Sequence, residues 1–457
     1  KQDKNNNTVD ITFNIHSGTR FQFGDVKAQF DKSSESSKAV EKILAKDGVK
    51  QGAWYSRSSL IQVKSDIAVF YRNKGFANTV VEIKQLLHNQ TCNVVLNIIN
   101  SGTRVYIRRI SFAGNDHTQD IAIRNRIVQM EGSVYSQAAI DESLRRLRGM
   151  YFLTNLRVER EPVKGQPHKV DLIFHMKEAP SGQFGLQGGY SELNKFFVGL
   201  QVTKANFLGT GNQLSLNVQK GKMMTQFSAS YTQPMLNANQ VSRTISFNYV
   251  DTKPAAVGLS NYNMTDSGVA ISYGLPILFE NNRFNLGFSF DKIKIFGYDE
   301  KKLSPSYLDF LDKYKSPYDQ LKLNLGWQRQ VLDQPVFPTA GSSQVFNVIL
   351  GVPFGYKNKA KKNKVLSLGY YSVGYDGKWY IPISKKGFVL NPHFDINYGN
   401  GLGSFDRLPF FNNFYAGGIT TLPGFAASSL GPKNPRDESE ALGGNFSVLG
   451  GVNLIFP

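Results

Sequence analysis

The chain has 457 residues, 53 Lys and Arg against 35 Asp and Glu, a formal net charge of +18 and a single cysteine, Cys92. That length predicts several domains. One cysteine excludes a disulfide framework within the chain and argues against a thiolate metal site. No run of about 18 apolar residues exists, which excludes a membrane helix but not membrane strands, since these alternate. The 42 Gly, 33 Phe and 21 Tyr are the mix expected of turn-rich strands with aromatic girdles. The Lys and Arg are scattered except at Lys357, Lys359, Lys361, Lys362 and Lys364, a run that reads as a solvated loop. No nucleic-acid partner is read. The chain begins at Lys1 without a signal peptide and reads as a mature or trimmed fragment.

Along residues 1–179 one motif recurs. A strand at Val9–Ile15 runs into Ser17-Gly18-Thr19-Arg20, and 84 residues later Val94–Ile99 runs into Ser101-Gly102-Thr103-Arg104. In the first copy Phe21–Phe30 reads as a strand, and Val40, Ile43 and Leu44 mark a short helix. Leu60, Val63, Ile67 and Tyr71 share one face of a longer helix, with Gly75 just beyond its end. Thr79–Leu87 and Asn93–Ile99 complete a sheet. The second copy reads as a strand at Arg104–Phe112, a helix from Ile121 to Met130, a second helix lined by Ile140, Leu144, Leu147 and Tyr151, and strands at Leu156–Arg160 and Val170–Met176. The boundaries expected are 1–16 for the last strand of a preceding module, 17–101 and 102–179 for two modules, and 180–457 for a strand-only region. Each module is a short mixed sheet covered by helices on one face. An open sheet edge can accept an extended peptide by strand addition.

From Pro180 onward the period is 2. Phe284, Leu286, Phe288 and Phe290 alternate with Asn285, Gly287, Ser289 and Asp291. Leu321, Leu323, Leu325 and Trp327 alternate with Lys322, Asn324 and Gly326. About twelve strands are expected, near 182–191, 196–206, 212–220, 224–233, 242–252, 266–275, 283–296, 319–331, 342–351, 365–381, 387–399 and 443–456. The connections alternate between short turns and longer loops at 297–318, 352–364 and 400–442, the asymmetry of a transmembrane barrel. Leu308, Phe310, Leu311 and Tyr314 give the first of these loops a short helix. A polar face of Asn, Ser, Gly and Gln suits a wet lumen as well as the solvent face of a soluble sandwich.

Bond-making chemistry finds little footing. His393 and Asp395 share one face and could form an acid–base pair, but lumen-lining polar residues are the commoner case. No metal-ligand cluster, phosphate-cradling loop or nucleophile elbow is read, so no catalytic residue, metal or cofactor is assigned.

Val105–Asn115, Gln129–Gly132, Asn206-Phe207-Leu208-Gly209-Thr210-Gly211, Phe337-Pro338-Thr339-Ala340-Gly341-Ser342 and Phe411–Gly418 carry a resemblance. The repeats resemble POTRA modules, and the chain is similar over nearly its whole length to the BamA family of outer-membrane insertases. The resemblance implies α+β POTRA modules, the last two of the family's five, followed by an all-β transmembrane antiparallel barrel. The family barrel has sixteen strands, so about twelve here is an incomplete barrel. Two site assignments follow from it. The first strand, Gly182-Gln183-Phe184-Gly185-Leu186-Gln187-Gly188-Gly189-Tyr190, stands where the family has its lateral gate, and its glycines weaken the strand. Leu422-Pro423-Gly424-Phe425 stands where the family has an Arg-Gly-Phe motif in a lumen-folding loop, with Pro423 in place of the Arg.

The function implied is insertion of β-barrel proteins into the bacterial outer membrane, by strand templating at a lateral seam. Implied partners are unfolded outer-membrane protein clients, accessory outer-membrane lipoproteins, periplasmic chaperones, and the lipid bilayer with its lipopolysaccharide. The implied location is the outer membrane with the arm in the periplasm. A TamA-like assembly factor, or a two-partner-secretion-type translocation pore of the same superfamily, shares the modules and barrel and remains the alternative.

Overall fold

In the computed structural model, which describes residues 2–3, 8–9, 18–30, 37–99, 103–191, 194–237, 239–277, 281–357, 364–384, 387–419 and 421–456, each periodicity becomes an element with a buried face. The expected strand at 9–15, Ser17, Ser101-Gly102 and Lys359, Lys361 and Lys362 lie outside the described residues, apart from a two-residue pairing of β1 (Gln2–Asp3) with β2 (Thr8–Val9). The chain divides into two units, 1–115 with 127–177 and 116–126 with 178–457.

In the first unit, β3 (Gln22–Phe30), α1 (Ser37–Lys46), α2 (Arg57–Asn73), β4 (Val80–His88) and β5 (Thr91–Ile99) form one module. Its sheet order is β3-β5-β4, with β3 parallel and β4 antiparallel to the central β5. Alternation on β5 sends Cys92, Val94, Leu96 and Ile98 into the core, where Leu60, Val63, Ile67 and Tyr71 of α2 meet them. The Ser56 hydroxyl caps α2 by accepting from the Ser59 N–H at 3.2 Å, which satisfies one of the helix's orphan donors.

The second copy supplies β6 (Tyr106–Ala113), α3 (Asp120–Arg124), α4 (Gln137–Arg148), β7 (Leu153–Pro162) and β8 (Lys169–Glu178). The sheet order is β6-β8-β7. Ser136 caps α4 as Ser56 caps α2. The helix expected from Ile121 to Met130 is shorter, ending at Arg124. Beyond it the chain is held by α4: the Val128 N–H donates to Ser143 Oγ at 2.8 Å, and the Gln129 side chain binds Ser133, Val134 and Ser136. Tyr151 was expected to line α4 but lies past its end and is exposed; Met150 and Phe152 are buried instead.

The two modules share a joint. Gly75 has φ +97°, a backbone that side chains rarely adopt, and its carbonyl accepts the Val105 N–H at 2.9 Å. Asn73 Oδ1 accepts the Ala138 N–H at 2.8 Å, and Arg160 donates to Ala77 O at 3.1 Å.

In the second unit a single antiparallel meander of twelve strands follows chain order. They are β9 (Gly182–Ser191), β10 (Lys195–Phe207), β11 (Asn212–Lys220), β12 (Met224–Gln233), β13 (Ser242–Thr252), β14 (Asn263–Pro276), β15 (Asn282–Phe296), β16 (Tyr318–Leu332), β17 (Gly341–Val352), β20 (Tyr370–Pro382), β21 (Val389–Gly401) and β24 (Phe446–Ile455). A side hairpin of β18 (Phe354–Lys357) and β19 (Lys364–Ser367) precedes β20, and a second of β22 (Lys433–Asn434) and β23 (Asp437–Ala441) precedes β24. The strand expected at 365–381 is therefore two pieces. The break is at Leu368-Gly369, where the Gln320 side chain binds both backbone groups of Leu368, and a Cβ on Gly369 would lie 2.6 Å from Leu402 O. Short turns join the strands at one end of the sheet and the long loops at the other; the 297–317 loop carries α5 (Pro305–Lys313).

Replacing Leu96 with Ala removes a fully buried side chain from the centre of the first module. A cost of about 2–5 kcal/mol is expected, read as a matching loss of hydrogen-exchange protection in α2 and β5. Unchanged protection there would contradict the core assigned.

Candidate functional site

β9 and β24 stand at the two edges of the twelve-stranded sheet and are not paired with each other. β9 pairs with β10 without interruption from Gly182↔Lys204 to Ser191↔Lys195. Among the described residues no strand pairs with its other side. Phe184, Leu186 and Tyr190 are exposed and stand across from Val202, Leu200 and Phe196, so one face of the edge is a continuous apolar row. Gln183, Gly185, Gln187 and Gly189 take the other face. A Cβ added at Gly182, Gly185 or Gly188 would meet nothing nearer than 3.5 Å, so packing does not demand glycine at these positions. Their effect lies in the backbone, which is freer before pairing and less well held after it.

The turn after β10 is a second construction. Asn206 is buried; its Nδ2 donates to Thr118 Oγ1 at 2.9 Å, and its Oδ1 accepts the Gly211 N–H at 2.8 Å. The Gln119 N–H donates to Gly209 O at 2.9 Å, and Gln119 Nε2 reaches Leu208 O. Gly209 has φ +74°, and a Cβ there would sit 2.3 Å from His117 O. The Glu178 carboxylate closes the set. It accepts from the backbone of His117 and Thr118, from the Thr118 hydroxyl and from the His117 ring. Burial pushes this carboxyl up, but the bonds from Thr118 and His117 together outweigh it and hold it below the usual range. Residues 116–126 thus pack as part of the sheet unit. The sequence marked Asn206–Gly211 as a matching stretch that ends in a short turn, and gave Thr118 and Glu178 no role.

At the long-loop end the connections share one core. Tyr262, Leu303, Tyr307, Phe310, Leu311, Tyr314, Leu368, Phe405, Leu408 and Phe410 are buried together with Ile293, Ile295, Tyr318 and Tyr370 from the strands. Four neutral donors converge on the buried Glu440 carboxylate: Ser260 Oγ, the Asn261 N–H, Asn261 Nδ2 and Asn434 Nδ2, at 2.6–3.0 Å. They bind the 402–445 loop to the connection between β13 and β14. In this loop Leu422-Pro423-Gly424-Phe425 forms a tight tip. The Leu422 N–H donates to Gly418 O at 2.9 Å and the Gly418 N–H to Phe425 O at 3.0 Å, while Pro423, Gly424 and Phe425 are exposed. His393 and Asp395 lie on the inner face, but their side chains bond elsewhere, Asp395 with Asn397 and His393 with Asn391 O. The acid–base pair that the sequence offered as the less common reading is not assembled.

The comparisons agree with this architecture. Residues 206–457 match the Omp85 superfamily domain, and residues 32–99 and 105–179 each match the POTRA repeat described as a surface antigen variable number repeat. The chain belongs to the Omp85 superfamily: POTRA repeats followed by the sheet of a β-barrel. It is 28% identical over its full length to the outer membrane protein assembly factor BamA of Neisseria meningitidis serogroup B, of which it covers 56%. With the protein of that name from Neorickettsia risticii it is 24% identical over 99% of this chain and 58% of the relative. The chain thus spans a little over half the length of these relatives. The crystal structure of BamA from Haemophilus ducreyi lacking POTRA domains 1–3 superimposes with a TM-score of 0.78 and 25% identity, covering 96% of this chain and 83% of that one.

The Glu178 cluster makes the 116–126 packing pH-dependent. Its carboxyl is depressed in the folded chain, so its contribution is present above the unfolded carboxylate range, near pH 4, and is lost as pH falls through the folded value. Protection of the Thr118 and Gln119 amides should fall on acidification in the parent, and Glu178→Gln should be weak throughout with little pH dependence. An identical pH profile in both would contradict the assignment. At the turn between β16 and β17 the Asp333 carboxyl, bonded by Thr339 and Ala340, is lowered to about 2. The Thr339 and Ala340 amides should therefore stay protected down to about pH 3 and be exposed at any pH in Asp333→Leu.

Proposed function

We propose that the chain is the membrane-proximal part of an outer-membrane protein assembly factor, lying in the bacterial outer membrane with its POTRA modules in the periplasm. The observation that carries this is the glycine-rich first strand β9, held in the continuous antiparallel sheet by its ladder to β10. A client strand cannot enter lipid with unpaired N–H and C=O groups, each of which costs several kcal/mol. The β9 edge can supply those bonds first, since main-chain pairing makes little demand on sequence. The work is strand templating, not bond-making chemistry. Unfolded barrel clients are the substrates, and the module sheet edges receive them; β4, an edge strand with exposed Leu86 and Leu87, is one such surface. Accessory lipoproteins and periplasmic chaperones complete the assembly, within a bilayer containing lipopolysaccharide. The relatives' shared name supports this reading. The two modules, the membrane barrel and the tip Leu422–Phe425 take the roles that the sequence assigns to them.

The test uses the space around the glycines. Gly182 and Gly185 have extended backbone and room for a side chain, so valine at both positions should fold and pair more firmly with β10. The double variant should show slower hydrogen exchange in β9 and at least a several-fold lower rate of client insertion into proteoliposomes. A photocrosslinker at Leu186 should capture client strands, and one at Phe247 should not. Full insertion activity with a rigidified β9, or equal capture at both positions, would count against templating at this edge.

A further inference from the structure

The outward face of β15 changes chemistry abruptly. Phe284, Leu286, Phe288 and Phe290 follow one another on it, and the next two positions on the same face are Lys292 and Lys294. Their direction is fixed by the pleat. The intervening Ile293 and Ile295 are 2% and 5% exposed, inside the long-loop core, whereas Phe288, Phe290 and both lysines are exposed. The neighbours switch at the same level. On β14 the apolar Ile271 and Val269 give way to Ser267 and Thr265, paired with Lys292 and Lys294. On β16 Leu323 and Leu321 give way to Asp319, across from Lys292. Two carboxylates therefore flank the lysines: Asp319, which is 9% exposed, and Asp251, which is across from Thr265 and engaged by Lys253 at 3.0 Å.

We infer that Lys292 and Lys294, with the hydroxyls of Ser267 and Thr265, form a headgroup site on the lipid-facing wall for a phosphorylated glycolipid of the outer leaflet. This rests on the membrane reading above. The apolar band sets the acyl depth. Two lysines whose Cα atoms are about 7 Å apart along one strand stand directly above it, with hydroxyl donors alongside. Ammonium side chains are effective phosphate partners, and anionic lipid headgroups attract cations at this depth. The site lies at the long-loop end, which faces outward in barrels of this kind. That selects the outer-leaflet glycolipid over the glycerophospholipids of the inner leaflet.

The test is native mass spectrometry of the protein extracted from phosphatidylethanolamine bilayers containing equal amounts of lipid A and phosphatidylglycerol. The parent should retain lipid A at least threefold over phosphatidylglycerol, and dephosphorylated lipid A should not be retained. Lys292→Gln with Lys294→Gln should abolish the preference, and Lys292→Arg with Lys294→Arg should keep it. Preference for phosphatidylglycerol, or equal lipid A retention by the glutamine variant, overturns the site while leaving the assembly reading intact. A parent chain that does not enter the bilayer overturns both.

Discussion

Every backbone N–H and C=O in an apolar medium must find a partner within the protein. That constraint shapes the larger unit of this chain. A meander satisfies it strand by strand, each pairing with the next, and it is met everywhere along the sheet except at the two outermost strands. An unpaired edge is a hazard in water because it recruits other chains. In the function proposed above, the same hazard becomes at a membrane surface a means of handing hydrogen bonds to a polypeptide that has none. The glycines of β9 fit this use. At Gly182, Gly185 and Gly188 nothing packs close, and only Gly189 lies against a side chain, that of Phe197, so the strand is held mainly by its ladder to β10.

The two modules obey a different rule. Their helices cover one sheet face, and alternation on β5 builds the core from one side only. The repeat is carried into structural detail by Ser56 and Ser136 at the starts of α2 and α4. Asn73 joins the copies by accepting the Ala138 N–H of α4, so the end of one helix completes the start of the next.

The alternation of side chains made the strands legible in the sequence. Most expected strands lie within a few residues of the observed ones, because a one-residue slip would turn every Phe and Leu inward. The interruption at Leu368-Gly369 was not legible, since it depends on Gln320, 48 residues away. Nor was the Thr118 cluster, whose partners Glu178 and Asn206 are 60 and 88 residues distant. The helix expected from Ile121 to Met130 stops early for a similar reason: Ser143, 15 residues away, claims the Val128 N–H that would have continued it. Local pattern placed the edge strand β9, while the bonds that fix the elements around it are contributed from far along the chain.

The shared core of the long loops is fed unevenly around the sheet. Its buried residues come from Tyr262 onward: among the described residues it takes in side chains of β15, β16 and β20, with Met264 of β14 and Ile349 of β17 packed against it, and none of β9 to β13. At the long-loop end the wall is thus braced by this core over its later portion, while the earlier strands are tied instead at their short-turn end, where Thr118 and Gln119 bond Asn206, Leu208 and Gly209. In the reading proposed above, the sheet is a spring clamped by the loop core along its later strands, which leaves its compliance on the side of β9.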